Sequence, residues 1–262
     1  MGEASFKGLG FWCWPELATT DLAAAKIFYG GLFGWEAIDI PGAEGHYAIF
    51  RLDGLDCAGA YGLSAEQRER GVPTHWLNYV KVASADEAAG KAKALGGSVT
   101  AGPFDVPGVG RMAVLKDPAG VGFSVWQDGA HVGVAAGPGP GTVCWTELMT
   151  REPAQARAFY GGLFGWTALE RDMMGFTYVE FQVDGVSAGG LMAMSGPEWT
   201  GVPNHFMQYF AVKDCVASAA RAGELGGKTC VPPNPIPGVG TFAILEDPKG
   251  AYFGILQPEA KA

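Results

Sequence analysis

Residues 13–35 read CWPELATTDLAAAKIFYGGLFGW, and residues 144–166 read CWTELMTREPAQARAFYGGLFGW, an offset of 131 residues. The correspondence continues outward: VPTHW at 72–76 is answered by VPNHF at 202–206, and PGVGRMAVLKDPAG from 107 by PGVGTFAILEDPKG from 237, both at an offset of 130. One residue of slippage is a single loop deletion. Repetition on this scale means that one supersecondary arrangement is written twice. The Gly/Pro-rich stretch GVAAGPGPG at 133–141 lies between the copies as a linker. Two homologous halves follow, 9–130 and 142–259.

The 262 residues are 48% hydrophobic and 17% charged, enough for well-buried cores and too apolar for disorder. The net charge is −9, and no Lys/Arg block breaks that balance to track a phosphate backbone or an anionic membrane. Nucleic acid and membrane are therefore excluded as expected partners. Without a signal-like apolar stretch after a basic start, the expected location is cytoplasmic. Five cysteines with no C-x-x-C pair suit a reducing compartment better than a disulfide framework or a thiolate metal site. Cys13 and Cys144, equivalent in the repeat, read as small buried hydrophobes. Monomer and homodimer both remain open.

Within each half the pattern gives strand, helix and three strands, and then the same again. Residues 11–18 have strand composition, and Thr20–Asp21 can cap a helix through Leu32. Strands are expected at about 36–40, 46–52 and 56–62. His75–Val82 restarts the cycle, Ala85–Leu95 is the second helix, ending at Gly96–Gly97, and three more strands end at Gln127. The DPAG and DPKG stretches are turns, and the PGVG stretches precede strands, which favours hairpins over phosphate loops. The expected fold class is α+β, with four β-α-β-β-β units paired into two mixed-sheet domains.

A β-α-β-β-β unit with FYGGLFGW after its helix and a DP-x-G turn before its last strand resembles the vicinal oxygen chelate superfamily, which includes glyoxalases, extradiol dioxygenases and bleomycin-resistance proteins. The tandem pattern is similar to four-unit actinobacterial members. The resemblance covers about nine tenths of the chain. It implies that paired units curl into a half-open cup, one glyoxalase-like cup per half, with the ligand inside. Chelating members hold a divalent metal with His, Glu or Gln from the first and last strands of two paired units. Carried over residue by residue, those positions fall on Trp14, Leu77 and Ser124, and on Trp145, Met207 and Gly254, none of which is a His, Glu or Gln. The resemblance therefore implies cups with no metal and no other cofactor. A register shift of two residues keeps the strand face and would instead bring Glu16 with His75, or Glu147 with His205, into the cup.

Strand alternation puts Trp14, Glu16 and Ala18 on one face, and Trp145, Glu147 and Met149 on its equivalent. A buried carboxyl must be hydrogen-bonded or paired. Glu16 and Glu147 thus fit a structural, a ligand-orienting or a catalytic role, and His75 and His205 fit either a rim position or acid-base work. His46 and His131 have no repeat partner and read as surface residues. Aromatic walls are expected from Trp14, Tyr79 and Trp126 in the first half and from Trp145, Tyr209 and Phe253 in the second, where a planar ligand can stack. Met149, Met173, Met174, Met192, Met194 and Met207 all lie in the second half, against Met112 beyond the initiator in the first. Flexible thioethers suit a pocket that adapts to a bulky apolar ligand. The two cups are therefore expected to differ in ligand competence. The expected ligand contacts are Trp14, Glu16, Leu77, Tyr79, Ser124 and Trp126 in one cup, and Trp145, Glu147, Met149, Met192, Met194, His205, Met207 and Tyr209 in the other.

Three functions fit. The leading one is metal-free binding of a hydrophobic, partly aromatic small molecule, a natural product or antibiotic, for sequestration, resistance or product handling. The alternative is a glyoxalase-like enzyme of lyase, hydroxylase or dioxygenase type using Glu16 or Glu147 with His75 or His205. The third is an interaction protein with vestigial cups.

Overall fold

The computed structural model describes residues 8–41, 47–173 and 175–259. His46 and Met174 lie outside that range. The first half runs β1 (Trp12–Thr19), α1 (Leu22–Phe33), β2 (Glu36–Ile40), β3 (Tyr47–Leu52), β4 (Leu55–Gly62), a short α2 (Ala65–Glu69), β5 (His75–Lys81), α3 (Ala85–Ala94), β6 (Ser98–Val106), β7 (Gly110–Lys116) and β8 (Gly122–Asp128). The second half runs β9 (Val143–Thr150), α4 (Pro153–Phe164), β10 (Thr167–Met173), β11 (Phe176–Val183), β12 (Val186–Ala193), a 3-10 turn (Pro197–Trp199), β13 (His205–Ala211), α5 (Cys215–Glu224), β14 (Lys228–Ile236), β15 (Gly240–Glu246) and β16 (Tyr252–Pro258).

Each half forms one eight-stranded mixed sheet, in the order β2-β3-β4-β1-β5-β8-β7-β6 and β10-β11-β12-β9-β13-β16-β15-β14. The two units of a half meet where β1 pairs antiparallel with β5, and β9 with β13. The PGVG stretches are the tight ends of the β6–β7 and β14–β15 hairpins, closed by Val109 N to Val106 O and Val239 N to Ile236 O. The fold is thus the α+β arrangement of four paired units that the repeat implies.

Local chemistry starts and stops the helices as the sequence suggests. Asp21 caps α1 by accepting from Ala24 N at 3.0 Å, and Gly34, at φ 75°, ends it in the left-handed conformation that glycine adopts without a Cβ penalty. In α4 the cap position is Glu152, which makes no side-chain cap, and Pro153 in the first turn presets the backbone instead.

The helices cross between the halves. The buried side of α1 packs on the second half, with Phe28 6.1 Å from Phe253 and Phe33 5.2 Å from Phe210 between ring centroids. Reciprocally, Phe159 of α4 lies 6.1 Å from Phe123 of the first half. Phe28 and Phe159 occupy equivalent buried positions, each with a ring edge against a glycine, Gly227 and Gly97. The last Trp of each FYGGLFGW continues the exchange: Trp35 Nε1 donates to Gly141 O at 2.8 Å, and Trp166 Nε1 to Gly10 O at 2.6 Å. One core therefore joins the first unit to the fourth and another joins the second to the third. This corrects one site residue: Phe253 is fully buried in the first of these cores, on the helix side of its strand, and lines no cup.

Candidate functional site

The sheet face opposite those helices carries the candidate site. Antiparallel register sets Trp14 across from Tyr79, Glu16 across from Leu77 and Ala18 across from His75. The parallel β5–β8 pair then sets Tyr79 beside Ser124. In the second half the same places hold Trp145 and Tyr209, Glu147 and Met207, and Met149 and His205, with Gly254 beside Tyr209. The period-2 alternation of a strand is what brings these residues to one face.

Glu16 and Glu147 sit at the centre of each face, with 7% of their surface exposed. Tyr79 Oη donates to Glu16 Oε2 at 2.6 Å, and Tyr209 Oη to Glu147 Oε2 at 3.2 Å. A second tyrosine approaches each carboxyl from β3 or β11. Tyr47 Oη accepts from Trp14 Nε1 at 3.3 Å and Tyr178 Oη from Trp145 Nε1 at 2.8 Å, and each phenol lies near enough to the glutamate to favour its charged form. Burial raises both carboxyls above the ordinary glutamate value, and the two phenolic donors offset only part of that rise. Burial, followed by the charge of the neighbouring glutamate, pushes all four tyrosines well up, so they remain protonated donors.

Tyr47 and Tyr178 are the residues that sequence reasoning missed. They are repeat equivalents at the 131-residue offset, a signal that the sequence did carry. Their seats depend on two glycines. A Cβ at Gly59 would meet Tyr47 Oη and come within 2.8 Å of Trp14 Nε1, and a Cβ at Gly190 would meet Tyr178 Oη and come within 2.9 Å of Trp145 Nε1. The Trp–Tyr bridge lies flat over each glycine, where no side chain fits.

The histidines do not join the carboxyls. His75 and His205 stand at strand starts, one cross-strand place beyond the glutamates, with Nδ1 2.8 Å from the carbonyls of Pro73 and Pro203. A carbonyl only accepts, so Nδ1 carries the proton and Nε2 is the basic nitrogen. Burial lowers both pKa values and favours the neutral ring.

His131 corrects the surface reading. Its ring stands edge-on to Trp14 at 4.5 Å and to Trp126 at 5.7 Å, while Trp126 Nε1 donates to its carbonyl at 2.9 Å. The linker beyond it is tied to β1 and β4, with Val134 N bonded to Cys13 O and Ala135 N and Ala136 N to Asp56 O. The first cup's aromatic wall is thus covered by the chain's own imidazole.

The second cup is lined differently. Trp145, Met149, Tyr178, Met194, Met207, Tyr209 and Ile244 form one apolar cluster, flanked by Met173, Met192, Trp199, Val202, Phe242 and Leu256. Leu256 takes the place of Trp126. Thioether-rich walls around a single carboxyl give an adaptable apolar surface with one polar anchor.

These donors do not suit a divalent metal. A catalytic site of that kind needs about three converging His, carboxylate or thiolate ligands. Each cup offers one carboxyl hydrogen-bonded by one phenol, with Leu77 or Met207 across the strand and Ser124 or Gly254 beyond. Among the described residues no group of three His, Cys, Asp or Glu is placed to hold an ion. Also among the described residues, no helix is long and apolar enough to cross a membrane.

Known proteins share this architecture. The chain is 38% identical over 248 residues, 94% of each chain, to the putative glyoxylase CFP32 of Mycobacterium bovis. It is 36% identical over 259 residues, 93% of this chain and 92% of the relative, to the anthracycline biosynthesis protein DnrV of Streptomyces peucetius. Among solved structures, the Mn(II)-bound glyoxalase from Novosphingobium aromaticivorans superposes with a TM-score of 0.66 at 17% identity, over 95% of this chain and 82% of that one. The dioxygenase LapB from Pseudomonas sp. KL28 gives 0.67 at 12% identity, over 98% and 94%. At these identities the two structures speak for the fold alone. The superfamily's sequence model matches twice, at residues 14–125 and 142–255, so the chain belongs to the Glyoxalase/Bleomycin resistance protein/Dioxygenase superfamily.

Proposed function

We propose that the chain binds a planar, at least partly aromatic small molecule in the cup of its second half, without a metal, and serves the sequestration or handling of a natural product. The observation that carries this reading is the thioether and aromatic cluster of Trp145, Met149, Met194, Met207 and Tyr209 around Glu147. It gathers aromatic and thioether side chains around one polar anchor, the combination that small-molecule sites share, and the flexible thioethers can move to admit a planar ring. His131 on Trp14 gives the first cup less room for the same ligand. The relationship to DnrV, a protein of anthracycline biosynthesis, is in keeping with a role in handling a natural product.

A second reading draws on one observation. Neutral His75 and His205, with Nε2 as the basic nitrogen, stand on the same faces as the glutamates, which is the raw material for acid-base catalysis by a glyoxalase-like enzyme.

Fluorescence titration of the protein and its Trp145→Ala and Trp14→Ala variants with planar aromatic natural products tests the binding reading. Saturable binding that weakens by about 1 to 3 kcal/mol in Trp145→Ala, and much less in Trp14→Ala, is expected from the loss of a large apolar face. Absence of saturable binding by folded protein across the panel would remove the reading. Turnover of a bound compound that stops in His205→Ala would promote the second.

A further inference from the structure

Each cup holds two hydrogen bonds around its glutamate, one from an indole to a phenol and one from a second phenol to the carboxyl. An indole N–H only donates. Trp145 Nε1 therefore gives its proton to Tyr178 Oη, 2.8 Å away, and Tyr178 lies beside Glu147. Tyr209 spends its proton on Glu147 Oε2. That is the one hydrogen bond the carboxyl receives from the described residues, which leaves Oε1 without a partner, and no Lys or Arg among them pairs with it. The titratable groups near it are these two tyrosines and His205, two positions along β13, whose Nδ1 is engaged by Pro203. The first half repeats the arrangement, with Trp14 donating to Tyr47, Tyr79 donating to Glu16 Oε2, and Tyr61 nearby.

A buried carboxyl without a cation favours its neutral form, because desolvation penalises the charge more than two phenols repay. In the neutral form it has one O–H. With Oε2 accepting from Tyr209, that O–H falls on Oε1, which has no hydrogen-bond partner among the described residues. Glu147 keeps a small exposed edge on the sheet face it shares with Trp145, Met149, Met207 and Tyr209, where a ligand would lie. An unmet buried donor is costly, and a ligand oxygen that accepts from it recovers the loss.

Building on the binding reading above, we propose that Glu147 is a hydrogen-bond donor that recognises a carbonyl oxygen, so that the second cup takes a planar aromatic ketone or quinone in preference to a hydrocarbon or a phenol of the same shape. An ionised Glu147 would do the reverse and select a ligand hydroxyl.

Three probes of equal size and charge separate these cases: anthraquinone sulfonate, anthracene sulfonate and hydroxyanthracene sulfonate, titrated against the full-length protein and its Glu147→Leu and Glu147→Gln variants. The quinone is expected to bind roughly three- to tenfold more tightly than the hydrocarbon, as one neutral hydrogen bond allows. That preference should vanish in Glu147→Leu and persist in Glu147→Gln, whose amide still donates. Preference of the wild type for the hydroxyl compound over the quinone, lost in Glu147→Leu, overturns the donor assignment. Equal binding of all three also overturns it while leaving the binding reading intact, whereas binding of none removes both. Infrared difference spectra at neutral pH give a check independent of ligand and of the leucine variant's folding. A protonated carboxyl band that disappears in Glu147→Gln is expected, and its absence from the wild type overturns the proposal.

Discussion

Tyr29 Oη donates to Asp247 Oδ2 at 3.1 Å across 218 residues of sequence, and Tyr160 donates to Asp117 Oδ2 at the same distance in the opposite direction. The two motifs that mark each half, FYGGLFGW and DP-x-G, are therefore partners in trans. The aspartate holds its own turn through Lys249 N and Ala251 N, and in the other copy through Ala119 N and Val121 N. It also receives the tyrosine of the other half. Cutting the chain at a protease site inserted between Gly137 and Pro138, in the exposed part of the linker, should leave two fragments that co-elute in gel filtration. Separation of the fragments without denaturant would contradict the interlocked cores. Tyr29→Phe should cost about 1 to 3 kcal/mol in denaturant unfolding, the usual loss for a buried hydrogen bond. Asp247→Ala should cost more, since it strands the turn amides as well.

Gly190→Ala should destabilise by about 1 to 3 kcal/mol, the usual range for overpacking, because the new methyl meets the Tyr178 hydroxyl. The same change at exposed Gly223, which has open space around it, serves as a control and should shift the melting temperature little. Equal shifts for the two variants would show that the Trp–Tyr bridge does not need the glycine.

Glu16 and Glu147 have carboxyls raised above the unfolded value. The folded chain then holds protons that the unfolded chain has released, so this contribution is fully present below the unfolded glutamate value and is lost as pH rises toward the folded one. Unfolding curves from pH 4 upward should show Glu147→Gln gaining on the wild type with rising pH. A difference that stays flat, or runs the other way, would mean that the carboxyl is ionised in the folded state.

His131→Ala should uncover the first cup. Trp14 and Trp126, each 6% exposed, should become more accessible to acrylamide, with little change in stability because the backbone bonds of the linker remain. Unchanged quenching would place the cover elsewhere.

The repeat, the unit boundaries and the facing of Trp14 with Glu16, or Trp145 with Glu147, are legible in the sequence because they depend on short-range periodicity: a two-residue alternation fixes which side chains share a face, and caps such as Asp21 act within one turn. The sulfur-rich character of the second cup is legible for the same reason, as composition within one copy. Phe253 was misplaced because β16 is covered on its helix side by α1 from the opposite half, and an apolar residue buried there looks in sequence like one lining a cup. Tertiary structure alone decided which helix lies on which sheet, that Tyr47 and Tyr178 seat on the indoles of Trp14 and Trp145, and that His131 turns inward onto Trp14. These contacts join residues from 33 to 218 positions apart, in the Trp14–Tyr47 and Tyr29–Asp247 pairs respectively. The closing of such contacts is governed by packing of whole faces against one another, which no local pattern encodes.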